Sequence, residues 1–185
     1  MFKLLRFFSI TSFVSIVIAA ILLGLFYRHY AIATLADHGN RENVTIAQVL
    51  SNTLWQQVVL LLDKDANLND AIKKSLILDV RRQIAEKAHG LDISKIKLYN
   101  LSGLTVFSTE LSQVGELQVD NHGISQALKG ITSSNFVHKD SFNSLDQVVE
   151  DRELLQTYVP LFDKESQSII GIIELYSDHT QILAQ

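Results

Sequence analysis

Between Arg6 and Arg28 the chain runs for twenty-one residues, 7–27, without a charged side chain. Its centre, Val14-Ser15-Ile16-Val17-Ile18-Ala19-Ala20-Ile21-Leu22-Leu23, is almost wholly apolar. About twenty such residues, wound as a helix at ~1.5 Å each, cross the ~30 Å hydrocarbon layer of a bilayer. A helix is the form such a span must take, because in lipid a single segment has to satisfy its own N–H and C=O groups. Phe7, Phe8, Phe26, Tyr27 and Tyr30 place aromatic rings near both ends, where headgroups meet hydrocarbon. Residues 1–30 are therefore read as a cytoplasmic N-terminus and a transmembrane anchor.

The flanking charges set the expected orientation. Lys3, Arg6 and the free amine lie on one side, whereas Arg28 and Arg41 on the other are balanced by Asp37 and Glu42. The positive-inside bias then puts the N-terminus in the cytoplasm and the rest of the chain outside, as a single-pass protein of the inner (cytoplasmic) membrane with a periplasmic or extracellular domain. A cleaved signal peptide is the rival reading, since Ala31-Ile32-Ala33 has the A-x-A pattern. The apolar run is longer than a signal peptide's, and Arg28-His29 intervenes before the supposed cut. The Gly cleavage site and following Glu of a type IV pilin are absent as well.

With 185 residues there is room for one ordinary domain beyond the anchor. Net charge is -4, and no basic cluster follows the anchor, so a grip on nucleic acid is not expected. Cysteine is absent, so the domain owes nothing to disulfides or to Cys-based metal sites.

From residue 31 to about 62 the pattern is helical, with Val44, Ala47, Leu50, Leu54, Val58 and Leu61 at three- and four-residue steps. His38-Gly39-Asn40 is a place where this helix could kink. The stripe suits either a dimer interface (Val44, Ala47, Leu54, Val58, Leu61) or a face covering the domain's own sheet, and both roles stay open at this level. Asp63-Lys64-Asp65-Ala66-Asn67 reads as a polar break. A second helix over 68–89 follows, with Ile72, Leu76, Val80, Ile84 and Ala88 on one face and Gly90 at a left-handed C-cap.

The period then changes to two. Lys95-Ile96-Lys97-Leu98-Tyr99 and Leu104-Thr105-Val106-Phe107-Ser108 alternate around a tight turn and predict a hairpin. A short helix over 123–128 ending at Gly130, strands over 131–137, 154–161 and 168–176, and a last helix from Thr180 to the end complete the pattern, with Ser177-Asp178 as its N-cap. Five strands joined mostly by hairpins, with long helices on one face, make an α+β fold around an antiparallel sheet.

Four stretches in this order carry a family resemblance. Leu98-Tyr99-Asn100-Leu101-Ser102-Gly103-Leu104-Thr105-Val106-Phe107-Ser108 resembles a hairpin of PAS-like Cache (PDC) sensor domains, and Gln126-Ala127-Leu128-Lys129-Gly130 is similar to their short helix ending in glycine. Tyr158-Val159-Pro160-Leu161 and Gly171-Ile172-Ile173-Glu174-Leu175-Tyr176-Ser177-Asp178 resemble their closing strand pair. The resemblance spans residues 31–185. It implies a five-stranded antiparallel PAS-like sheet over 31–178, standing outside the cytoplasm in a histidine kinase, diguanylate cyclase or chemoreceptor. Residues 179–185 would begin the exit or signalling helix. Because the sequence stops there, without a second span or a nucleotide-binding motif, the expectation is the sensory front of a longer receptor or a truncated relative.

No enzyme motif is present: HExxH, G-x-S-x-G, P-loop and GxGxxG are all missing, and binding rather than chemistry is expected, with no cofactor. The six histidines are scattered, which disfavours zinc. His138, Asp140, Asp146, Glu150 and Asp151 crowd what reads as a loop, a weak cation candidate and more simply a solvated segment. Asn43-Val44-Thr45 matches a glycosylation sequon by chance. The resembling sensors hold a small ligand between the sheet and the segment over its far face, here about 115–150. By position His122, Lys129, Arg152 and Tyr158 are the candidate ligand-binding residues, Arg152 as a partner for a carboxylate. The bland alternative makes Arg152 and Lys129 surface charges and Tyr158 core. Glu174 is expected on the solvent face by alternation. The functional expectation is a ligand-sensing module of a dimeric membrane receptor. The alternative is a membrane-tethered structural or protein-interaction domain without a small ligand.

Overall fold

The computed structural model describes residues 2–63, 66, 68–145 and 147–183, with the backbone alone over 2–5. Contacts divide the chain into two compact units, Met1–Asp37 and His38–Gln185. Helix α1 (Phe2–Thr53) supplies all of the first described unit and the opening of the second. In the first unit the helix is long and apolar enough to cross a membrane, and its most apolar window is 0% buried. Phe7, Phe8, Leu23 and Phe26 present their side chains outward, which water would penalise and lipid would not.

The second unit is built on one sheet. After α1 come α2 (Trp55–Leu62), α3 (Asp70–Ala88), β1 (Ile93–Tyr99), β2 (Thr105–Ser108), α4 (His122–Ala127), β3 (Ser133–Asn143), β4 (Val148–Phe162), β5 (Ile169–Asp178) and α5 (Thr180–Leu183). The strand order is β2-β1-β5-β4-β3, and all neighbours pair antiparallel. The expected α+β architecture with five antiparallel strands is therefore present. Pro160 lies past the last β3–β4 pair, Ser133↔Tyr158, where β4 is bonded on one side only and a proline is tolerated.

Several boundaries differ from expectation for local reasons. The helix runs through His38-Gly39-Asn40 without a break and interrupts at Leu54 instead, whose φ/ψ of -106/23° separates α1 from α2. Asn69 caps α3 by accepting from Ile72 N at 2.8 Å, so the helix starts two residues later than read from the pattern, and Gly90 takes the left-handed φ of +83°. Ile72 is exposed, while Ile77 joins Val80, Ile84 and Ala88 inside. Strands β3 and β4 extend across what reads as a polar loop, so His138, Asp140, Glu150 and Asp151 lie on a strand pair. Asp146, residues 64, 65 and 67 of the expected polar break, and the end of the last helix lie outside the described residues.

One cluster forms the core on the helix side. Ala47, Leu50, Leu54, Val58 and Leu61 meet Ile77, Val80 and Ile84 over Ile96, Leu98, Val159, Leu161, Ile173 and Leu175 of the sheet. This corrects the dimer reading of the stripe. Ala47, Leu54, Val58 and Leu61 are between 0% and 6% exposed, with Val44 packed against them, and so have no surface left for a second copy. Leu54→Ala is expected to cost about 2–5 kcal/mol, read by urea unfolding of the full chain in detergent micelles. A cost under about 1 kcal/mol would place Leu54 outside the core.

Candidate functional site

The other face of the sheet is polar where its strands lie deepest. Ser133, Tyr158, Glu174 and Lys97 pair in one row across β3, β4, β5 and β1. Asn135, Gln156, Tyr176 and Lys95 make the neighbouring row. Side chains alternate faces along a strand, so all eight belong to the same side. Two patches cover them: α4 with Ile124 and Ala127 on Tyr99, Tyr158 and Ile172, and the β3–β4 hairpin with Phe142 on Tyr176 and Leu154.

Glu174 is the centre of this face. It is 1% exposed, which corrects its expected place on the solvent side, and it takes donors from three strands. Tyr99 Oη donates to Oε2 at 2.5 Å, Tyr176 Oη to Oε1 at 2.9 Å, and Gln156 Nε2 also to Oε1. Lys97 Nζ stands 3.7 Å from Oε2 with its side chain 8% exposed. A carboxylate this buried is tolerable because donors and a counter-charge replace the lost water. Burial first, and then the charge of Glu174, push the hydroxyls of Tyr99, Tyr158 and Tyr176 far above the ordinary tyrosine range, so all three stay protonated.

Lys95 is closed off from this centre. Its ammonium pairs with Glu110 and sits 3.9 Å from the centroid of the Phe142 ring. Burial holds Lys95 below the usual lysine range against the pull of that pair. Glu110 is nearer the surface: burial would raise it, but hydrogen bonds from Lys95 and Asn143 outweigh this and hold it below the usual carboxylate range.

Beside the Glu174 cluster a cleft of about 460 Å³ opens between α4 and the β3 edge. Asn121, His122 and Gly123 form its helix side. Asn121 Oδ1 caps Ile124 N at 3.0 Å while its Nδ2 donates to Tyr158 Oη at 2.9 Å, which ties the start of α4 to the sheet. Gly123 lies flat on the Tyr158 ring, where any Cβ would clash, and this allows the close approach. Ser133, Ser134 and Asn135 supply the edge-strand wall, and Gln156 and Tyr158 the floor. Gln156 Nε2 links floor and buried cluster, its two N–H groups shared among Tyr158 Oη at 2.8 Å, Tyr176 Oη at 2.7 Å and Glu174. Such a concavity suits reversible binding of a small polar molecule.

Of the four residues expected from sequence, His122 and Tyr158 border the cleft. Lys129 is exposed on the turn after α4 and does not line it. Arg152 lies on the same face but four residues before Gln156 in β4, ~13 Å by strand rise, with Nη1 3.5 Å from Asp178. Asp178 also accepts from Thr180 N at 2.9 Å, so it holds the start of α5 from the end of a strand. The cleft residues that periodicity did not single out are Asn121, Gly123, Ser133, Ser134, Asn135 and Gln156, with Glu174 behind them. A signal for Glu174 was available: a strand that is apolar on both of its faces is central, and a lone carboxylate within it has no route to solvent. His138 gathers Glu153 at 2.9 Å, Asp140 at 3.3 Å and Asp151 at 3.8 Å, and its hydrogen bond to Glu153 raises its pKa. Among the described residues, no group of His, Cys, Asp and Glu has the arrangement to hold a metal.

No protein-family model matches the sequence, and none of the curated proteins does. Solved structures of similar arrangement include the Escherichia coli DcuS sensor domain, at 17% identity and TM-score 0.44, covering 78% of this chain and 95% of that one. The sensor domain of the Vibrio cholerae histidine kinase DctB aligns at 15% identity and TM-score 0.45, over 78% of this chain and 59% of its own length. A sensory box sensor histidine kinase from Vibrio cholerae aligns at 12% identity and TM-score 0.38, over 58% and 98%.

The Glu110 contacts predict a pH dependence. A carboxylate lowered in the folded state adds stability that is complete above its unfolded pKa of ~4.3 and is lost as pH falls through the folded value. Glu110→Gln should therefore cost stability at neutral pH and little in strong acid, flattening the acid limb in urea titrations. An unchanged acid limb would remove Glu110 from that role.

Proposed function

We propose that this chain is the extracytoplasmic ligand-sensing module of a bacterial transmembrane receptor of PAS-like Cache type, such as a sensor histidine kinase or a diguanylate cyclase. It acts by binding rather than by chemistry, and α1 anchors it in the inner membrane. In this reading residues 1–30 are the anchor, 31–178 the sensor and 179–185 the start of the exit helix. The four sequence stretches named above support the assignment to the family. Among the candidate residues, His122 and Tyr158 are placed to touch the ligand. Dimerisation would use the side of α1 that the sheet leaves open, at Thr45, Gln48 and Val49.

The observation that carries a sensing role is a run of hydrogen bonds from the cleft wall to both helices that would carry a signal. Ser134 lines the cleft, and its Oγ donates to Asn40 Oδ1 of α1 at 2.7 Å and contacts Thr157 Oγ1 at 2.9 Å. Asn43 Nδ2 of α1 then donates to Thr157 Oγ1 and to Ser177 Oγ, each at 2.9 Å. Ser177 Oγ meets His179 Nε2 at 3.1 Å, and the His179 carbonyl accepts from Ile182 and Leu183 of α5. The sequon asparagine is thus 1% exposed and spans two strands, and Gly39 keeps the helix backbone close against Leu155 and His179. Strand β3 is an edge, bonded on one side only, so a ligand can shift it at low cost. A shift of Ser134 would strain the bonds that seat α1 and α5.

Two measurements test this reading. Alkaline phosphatase fused after residue 183 should be active, which a cytoplasmic domain would not allow. A double-mutant cycle between Ser134→Ala and Ser177→Ala should depart from additivity by at least about 0.5 kcal/mol, since both act through Thr157 and Asn43. Strict additivity would show that the bonds do not act as one unit.

A further inference from the structure

The charges around the cleft point to the class of ligand, an inference that rests on reading this cleft as the sensing site. Among the described residues that line it there is no Lys, Arg, Asp or Glu. Its groups are hydroxyls, carboxamides and one imidazole. The nearest fixed charge behind the floor is Glu174, reached through Gln156 Nε2. The strand order β1-β5-β4-β3 puts this carboxylate one strand nearer the cleft than its counter-ion Lys97. Of the other cations on this face, Lys95 is engaged by Glu110 and Arg152 by Asp178 beyond the cleft, and Lys139, opposite Arg152, is exposed four residues along β3 from Asn135, ~13 Å by strand rise.

An anion entering here would leave water for a site with no cation to pair with and a buried carboxylate beneath it. Unpaired charge in such a place is strongly unfavourable. Gln156 cannot turn to serve it, because the two N–H groups of its Nε2 are already shared among Tyr158, Tyr176 and Glu174. What the walls offer is mixed: Ser133 is a donor and an acceptor, Asn135 carries an amide that bonds Gln156 Oε1 only at 3.4 Å, and His122 has its ring nitrogen 3.5 Å from Gln126. Short hydroxyl groups, which both donate and accept, fit such a wall.

We propose that the cleft binds an uncharged, polyhydroxylated small molecule and rejects carboxylates and phosphates, with Glu174 as the residue that sets this discrimination. The test uses the full chain in lipid nanodiscs at pH about 8. The probes are myo-inositol and glucose against succinate and inorganic phosphate. At a tenfold excess over its dissociation constant, worth ~1.4 kcal/mol, a bound polyol should raise the melting midpoint by about 3–6 °C. It should also slow amide exchange in residues 121–123 and 133–135, while the anions do neither. Protection of those amides by succinate or phosphate overturns the ligand class and leaves the cleft as the sensing site. Failure of both polyols to protect them also overturns the proposal. Protection by none of the four probes counts in addition against the sensing reading. Glu174→Gln removes the carboxylate and leaves Lys97 as an unpaired cation behind the floor, which should admit succinate, and continued refusal by a folded variant overturns the role of Glu174. If that variant does not fold, the wild-type panel still decides the ligand class.

Discussion

A carboxylate held inside a β-sheet face organises much of this domain. Glu174 has exchanged water for Tyr99, Tyr176 and Gln156, with Lys97 as its counter-charge. Losing one partner of such a pair is strongly destabilising, of order 3–5 kcal/mol, because the other charge is left buried. That penalty ties β1, β4 and β5 to one register, since a slip of one residue would turn Glu174 toward the apolar helix side. It also explains why three tyrosines gather there, each a large ring with a hydroxyl that stays protonated.

The two faces of the sheet divide the labour. The helix side is a continuous apolar core from Ala47 to Leu175 and holds the domain together by burial. The far side is polar at its centre, with the short α4 and the end of the β3–β4 hairpin packed over parts of it. A cover this small leaves a cleft, and Asn121 and Gly123 decide where its edge falls. Where the helix side meets the cleft strand, Asn40 and Asn43 cross the core boundary with side-chain hydrogen bonds. Those bonds are costly to leave unmade, so the site and the helix that carries it are mechanically joined.

Much of the fold could be read from local pattern. The change of period at Lys95, the turn before Leu104, Gly90 at φ +83° and the short helix before Gly130 are set by backbone chemistry within a few residues. The stripe from Val44 to Leu61 was legible as apolar but not as to what it meets, since an apolar face is the same whether a sheet or a second copy covers it. The strand pair through His138 and Glu150 was missed because polar side chains on an exposed hairpin resemble a loop. Backbone pairing, from His138↔Glu153 to Asn143↔Val148, overrides that composition.

The site was less legible because its members come from distant segments. His122 came with the helix it starts and Tyr158 with the strand read over 154–161, but Lys129 and Arg152 are near in the chain and turned elsewhere in space. By itself the amino-acid order determined the long apolar helix at the start, the alternation of helix and strand and the α+β class, because these depend on periodicity over ten or twenty residues. Only the tertiary structure decided that Glu174 is interior, that Asn43 is a clamp and that, among the described residues, no lysine or arginine lines the cleft. Each of those depends on strand register and on which face a neighbour covers, relations between residues as many as 134 positions apart.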